Sequence, residues 1–302
     1  MWSVPGHPVG RETLHYDRAV TPRRVDPAAE PATLEAMDVV MQQAYGVPSF
    51  RLSIDRFVEV QPDGLAVVEV DGTVVGTGCC VAYPDGKFGW IGLVATLPAF
   101  QRQGIGTTIT EFLSNVLTDY GCASVLDASA AGGPVYERMG FADRGLTRVM
   151  GYEGNGDPST ANVEECEALT TGDLDEVARF DAPRFGANRR ELLAKVVDQH
   201  PGRALVLRRR GKVAGFLVAH ESTLAPVVTD TSESLTGLIT AALRLDWATP
   251  PRINVPPESG HLATLQRLGF EVRRELRHMR RGIEVLPGRR ESIAAAVSLG
   301  EG

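Results

Sequence analysis

The sequence predicts an α/β protein built from two copies of one mixed-sheet unit, with helices on both faces of each sheet. Three observations lead there. Apolar, β-rich runs are joined by Asp-Gly turns, the patterning of antiparallel hairpins. A glycine-bearing strand-to-helix turn follows them and opens a β-α-β unit. Landmarks of the first half then recur in the second.

The elements follow in order. Residues 1–28 are rich in Pro, Arg and Gly and hold an early strand that the pattern does not place. Thr33–Tyr45 reads as a helix, with Leu34, Met37, Val40, Met41 and Ala44 at helical spacing. Ser53 is expected to cap a second helix over Ile54–Val60. Leu65–Val70, Thr73–Tyr83 and Phe88–Thr96 read as strands joined by Asp71-Gly72 and Asp85-Gly86 turns. A helix over Ile105–Tyr120, a strand over Ala123–Leu126, a short helix around Tyr136 and a strand over Leu146–Tyr152 complete the unit. The expected divisions are a first domain over 1–152, a linker over 153–162, a second domain over 163–286 and a tail over 287–302. The spacing in Arg289–Leu299 allows a short helix.

Composition narrows the functional classes. The 302 residues are 43% hydrophobic and 23% charged, ordinary values for a globular chain. A net charge of −7 argues against general nucleic-acid binding, which needs a basic face. Cys79, Cys80, Cys122 and Cys166 form no C-x-x-C pair and stand near no histidine at metal spacing, so no metal site is expected. Cys79 and Cys80 are neighbours in a strand and point to opposite faces. Four free thiols, no signal-peptide pattern and no long apolar run point to a cytoplasmic protein without a membrane partner.

Gln101-Arg102-Gln103-Gly104-Ile105-Gly106 carries the chemistry. A strand that turns through glycine into a helix N-terminus presents unpaired N–H groups and the positive end of the helix dipole. That arrangement suits a pyrophosphate. A Walker loop would end in Gly-Lys-Ser/Thr, which is absent. A dinucleotide fingerprint would need a third glycine, where Ile109 stands instead.

The spacing Q/R-x-x-G-x-G, after Thr96-Leu97-Pro98, resembles the pyrophosphate loop of the GCN5-related N-acetyltransferase (GNAT) superfamily. Downstream, Asp127-Ala128-Ser129 and Tyr136…Met139-Gly140-Phe141 resemble that superfamily's segment after its fifth strand. The likeness covers about residues 65–150 and extends to a bacterial tandem subgroup with a divergent second domain. It implies acetyl transfer from acetyl-CoA to a small-molecule or peptide amine. The implied cofactor contacts are Val94, Ala95 and Thr96 along the pantetheine arm, and Gln101, Arg102, Gln103, Gly104, Ile105, Gly106 and Thr107 around the pyrophosphate. Tyr136 is the implied acid toward the leaving thiolate. Ser129 stands where the superfamily often has asparagine.

The base is not legible. Glu69 and Asp127 are acidic residues near the expected site, and His15 is the one upstream histidine with a route to it. Trp90 is expected in the sheet. A non-catalytic acyl-CoA sensor is the competing reading, and the Tyr136 motif argues against it.

Gly211-Lys212-Val213-Ala214-Gly215 echoes Gly72–Gly76, and Leu268-Gly269-Phe270 echoes Met139–Phe141. Gly72 and Gly140 stand 68 positions apart, but Gly211 and Gly269 only 58. Thr229–Ser234 replaces the glycine loop and Leu265 replaces the tyrosine. The second copy therefore reads as degenerate, free to shape the acceptor cleft or to mediate a homodimer.

Overall fold

The computed structural model describes residues 20–155 and 166–302. His15 and most of the expected linker lie outside the described residues. The first copy runs β1 (Arg23–Arg24), α1 (Pro31–Tyr45), α2 (Arg51–Val60), β2 (Leu65–Val70), β3 (Thr73–Tyr83), β4 (Phe88–Thr96), α3 (Ile105–Asp119), β5 (Ala123–Ala128), α4 (Gly133–Arg138) and β6 (Ala142–Tyr152). The second runs β7 (Cys166–Ala168), α5 (Leu174–Phe185), α6 (Arg190–Gln199), β8 (Ala204–Arg209), β9 (Lys212–Ala219), β10 (Thr223–Thr229), α7 (Ser232–Leu243), β11 (Arg252–Val255), α8 (Leu262–Arg267), β12 (Phe270–Arg281) and β13 (Ile293–Ala295).

The described strands form one continuous sheet in the order β1-β2-β3-β4-β5-β12-β6-β11-β10-β9-β8-β7, with β13 added against β10. The centre of that order is an exchange. β12, from the second copy, pairs antiparallel with β5 of the first. β6, from the first copy, pairs antiparallel with β11 of the second. The two exchanged strands also pair with each other.

The echoed glycines have a physical reason. Asp71-Gly72 and Arg210-Gly211 both hold positive φ at two successive residues, the backbone of a tight hairpin turn. Gly76 and Gly215 let a helix approach the hairpin. A Cβ on Gly76 would stand 2.4 Å from the Ile105 side chain of α3, and one on Gly215 2.9 Å from Leu238 of α7. Helix-to-sheet contact thus fixes the same residue type at the same place in both copies.

Three apolar cores result. One lies under α1, α2, α5 and α6 and joins both copies through residues such as Met37, Phe57, Trp90, Phe185 and Leu193. A second lies under α7 and α8, and a third under α3. Cys79 faces the shared core and Cys80 the α3 core, as strand alternation requires. All four cysteines are free thiols.

Two local expectations are corrected. The second helix begins at Arg51, and Ser53 lies inside it. Its first turn is held from α1, where the Asp38 carboxylate accepts from Phe50 N–H at 2.6 Å. The tail is not a helix: Arg290–Ser292 makes one 3-10 turn and Ile293–Ala295 a strand. Ile293, Ala294 and Ala295 are fully buried, so pairing with β10 overrides the helix preference of an alanine-rich run. The segment then continues over the first copy. Gly300 lies so close to β4 that a Cβ on Gly92 would stand 2.3 Å from its Cα. Glu301 makes a buried ion pair with Arg56 of α2.

Candidate active site

β4 and β5 run parallel and stay in register only from Phe88–Ala123 to Trp90–Val125. Beyond Trp90 they part, while β4 continues to Thr96 with β3 on its other side. Thr77 pairs with Ala95 and Cys79 with Gly92, so Gly78 alone faces both Leu93 and Val94. That bulge carries positive φ at Leu93 (54°), a conformation a leucine rarely adopts. Val94, Ala95 and Thr96 therefore line a V-shaped opening in the sheet.

The glycine loop closes one end of this opening. Thr108 N–H to Gly104 O, at 3.0 Å, is the first hydrogen bond of α3. The N–H groups of Ile105, Gly106 and Thr107 consequently have no partner within the helix. Arg102 (φ 64°) and Gly104 (φ 83°) both turn through the left-handed region. Nothing lies within 4 Å of a Cβ built on Gly104, so its backbone angle is what calls for glycine there. The Gln101 amide donates to Thr96 O at 3.3 Å and ties the loop to the strand end. Gln103 Nε2 is enclosed and finds no acceptor among the described residues.

Tyr136 projects from α4, half-buried, with its ring against Phe141 at 5.9 Å between centroids. Burial raises its pKa, and a hydrogen bond from the Thr110 side chain of α3 partly offsets the rise. The phenol stays protonated at neutral pH, as a proton donor must. Ser129 O accepts from the N–H groups of Gly132 and Gly133, and Ser129 Oγ from Gly132 N–H, so Ser129 builds the turn into α4.

Sequence reasoning missed Tyr45, the last residue of α1. Its hydroxyl donates to Val94 O at 2.6 Å, at the bulge itself. It also missed a buried polar cluster beside the point where β4 and β5 part. Asp127 accepts from the Thr147 hydroxyl, from His278 Nδ1 at 3.0 Å and from Trp90 Nε1 at 3.4 Å. Arg280 Nε donates to His278 Nε2 at 3.0 Å, and Arg280 pairs with Glu258. No spacing rule joins Asp127 to His278, because their contact depends on the strand exchange. The other acidic candidate, Glu69, lies on β2 and pairs with Arg23 at 2.5 Å, two strands from the opening.

The comparisons with known proteins bear on this geometry. Residues 32–141 match the model of the Acetyltransferase (GNAT) family, and residues 177–295 that of an Acetyltransferase (GNAT) domain. The chain belongs to the GNAT family. It carries two GNAT domains in tandem, each with a splayed strand pair. A putative acetyltransferase from Pyrococcus horikoshii shares the architecture with a TM-score of 0.79 and 23% identity, over 98% of this chain and 100% of that one. A GCN5-related N-acetyltransferase from Sphaerobacter thermophilus gives 0.58 and 15%, over 89% and 96%. Eis1 from Mycobacterium abscessus gives 0.51 and 15%, over 87% and 73%. At these identities the likeness shows the fold. The search of curated proteins found no match. No described helix is long and apolar enough to cross a membrane.

The second GNAT copy keeps the splay and fills it. β10 and β11 are in parallel register only at Thr223–Arg252 and Leu224–Ile253. β13 then pairs with β10 through Val227–Ala295 and Val228–Ile293, and Ala296 N–H donates to Asn254 O of β11 at 3.0 Å. The chain's own segment lies where the first copy leaves its opening. The N-terminus of α7 is likewise satisfied internally. Thr231 Oγ1 accepts from Ser234 N–H, and the Asp230 carboxylate pairs with Arg184 and accepts from Ser292 Oγ at 2.8 Å. Leu265, in place of the tyrosine, is fully buried in α8.

Proposed function

We propose that this GNAT protein transfers an acetyl group from acetyl-CoA to a primary amine, and that the first copy does the chemistry. The observation that carries the reading is the convergence at one opening of the unpaired β4 edge, the unsatisfied N–H groups of α3 and the Tyr136 hydroxyl. Val94, Ala95 and Thr96 would pair with the pantetheine arm as an added strand would. Arg102–Thr107 would hold the pyrophosphate by backbone N–H groups, and the enclosed Gln103 amide is a further donor there.

Bound acetyl-CoA supplies the activated acyl group. The protein's part is to orient and to move one proton. The bulge at Leu93–Val94 turns β4 backbone toward the parting point, where donors would meet the thioester oxygen as it gains charge. The amine attacks directly, and Tyr136 gives its proton to the departing sulfur. Asp127 is fully engaged by buried donors, so it is a positioning group for the base of the cleft. The second copy contributes β12 to this site and holds no acetyl-CoA, because β13 and Asp230 already fill its splay and helix end.

The test is release of free thiol from acetyl-CoA across polyamines, amino acids, aminoglycosides and peptide N-termini. Release that depends on one class of amine supports the reading. Tight acetyl-CoA binding with no release on any amine favours a sensor.

A further inference from the structure

We infer that the acceptor amine carries a carboxylate or a similar anion, and that Arg274, supplied by the second copy, is the residue that recognises it. The inference rests on the transfer reading above and names the substrate class of that same site.

Five arginines stand on β12. Arg273 pairs with Glu153, Arg277 with Glu137 and Asp143, Arg280 with Glu258 and Arg281 with Glu111. Arg274 pairs with no carboxylate among the described residues. An exposed guanidinium is at home in water, so the missing partner alone says little. Its position says more.

Residues directly opposite in an antiparallel pair share a face, and so do alternate residues along a strand. Arg274 stands opposite Val149 and Leu276 opposite Thr147, so Arg274 is on the face where Thr147 reaches Asp127. β5 ends at Ala128, opposite Arg277. From Leu276 back to Phe270, β12 therefore has β6 on one side and no strand on the other. Arg274 projects from that free stretch, beyond the end of β5 and beside the opening.

The far wall is Tyr45, whose hydroxyl sits on Val94 O. The surroundings raise the Tyr45 pKa. Desolvation is the main cause, the Tyr136 phenol adds to it, and the Arg274 guanidinium is the cation that opposes it. Tyr45, Tyr136 and Arg274 thus share one electrostatic neighbourhood around the splayed end of β4.

A planar guanidinium matches a carboxylate with two parallel hydrogen bonds, and a charge-assisted pair fixes orientation as well as affinity. An acceptor held by its carboxylate presents its amine in one direction. A polyamine would instead meet like charge at the same place. Arg274 accordingly selects amino acids or similar amino-carboxylates over polycations.

The experiment compares alanine and leucine with alaninamide and leucinamide, and with spermidine, on the full chain with acetyl-CoA. Wild type is expected to use the acids at least tenfold better in kcat/KM. Arg274→Ala is expected to raise KM for the acids about 10- to 100-fold while KM for acetyl-CoA and for the amides holds. Arg274→Lys keeps the charge without the fork and is expected to recover part of the loss. Equal use of acids and amides by wild type overturns the inference. So does a rise in KM for acetyl-CoA with none for the acids, which assigns Arg274 to a cofactor phosphate. Absence of thiol release with every amine contradicts the transfer reading itself. In that event, calorimetric titration of the CoA-bound chain with leucine and with leucinamide still decides the matter. Preference for the acid that disappears in Arg274→Ala supports the inference, and equal binding overturns it.

Discussion

The Asp127 carboxylate and the His278 imidazole, 151 positions apart in the chain, meet at 3.0 Å inside the sheet. Asp127 belongs to β5 of the first copy and His278 to β12 of the second. Arg280 donates to His278 Nε2, so the ring's own proton is on Nδ1 and points at Asp127. The contact records the exchange of last strands in side-chain terms. Without β12, β5 would have no neighbour on that side, and the cleft would lose its floor.

Asp127→Ala should destabilise the whole chain. The substitution leaves the Nδ1–H of His278, the Thr147 hydroxyl and the Trp90 indole without their acceptor, all of them buried. Unsatisfied buried donors cost about 1–3 kcal/mol each and are not additive, so a total near ~3 kcal/mol is expected. Guanidinium unfolding measures it. A loss below about 0.5 kcal/mol, the range of an indifferent surface change, would mean that the cluster does not hold the exchanged strands.

Tyr136→Phe should slow turnover and leave acetyl-CoA affinity nearly unchanged. The ring keeps its contact with Phe141, and only the hydroxyl is lost. A general acid typically contributes 10²- to 10⁴-fold, and a thiolate leaves readily, so a fall near ~10²-fold is expected. Undiminished kcat would remove Tyr136 from the mechanism.

Acid should weaken the fold through His200 and His220. Their rings stack at 4.1 Å between centroids, and the Nε2 atom of each is enclosed with no partner among the described residues. Desolvation lowers the pKa of His200 from 6.5 to about 4, with Arg56 and Arg203 adding to the effect, and lowers that of His220 as well. Folded His200 thus resists a proton that the unfolded chain accepts at pH 6.5. Its stabilising contribution is complete above that pH and is lost as pH falls from 6.5 toward 4. The full effect is about 3 kcal/mol. His200→Phe should flatten the fall in unfolding midpoint between pH 7 and pH 5. An unchanged slope would mean that the stacked pair is not what acid attacks.

Much of this molecule was legible in its residues. β2, β3 and β4 fall on the expected strands because Asp-Gly turns and alternating apolar residues act locally. The Gly104–Gly106 loop was legible for the same reason, since its demands on φ and on free N–H groups are met within six residues. The exchange of β6 and β12 was not, because both strands would suit either sheet half and only long-range pairing chooses. Tyr45 and Arg274 were hidden with it. Tyr45 reads as the end of a helix and Arg274 as one of several arginines. The fate of Ile293–Ala295 was set by the splay of β10 from β11, which no local signal reports.

The most direct measurement is a calorimetric titration of the full chain with acetyl-CoA, repeated on Gly104→Glu. One site per chain is expected in the wild type, because the second splay holds β13 and its helix end holds Asp230. Gly104→Glu places a carboxylate and a strained backbone at the φ 83° position of the loop and should abolish binding while the protein stays folded. A stoichiometry near two, or undiminished affinity in the folded variant, would contradict the account.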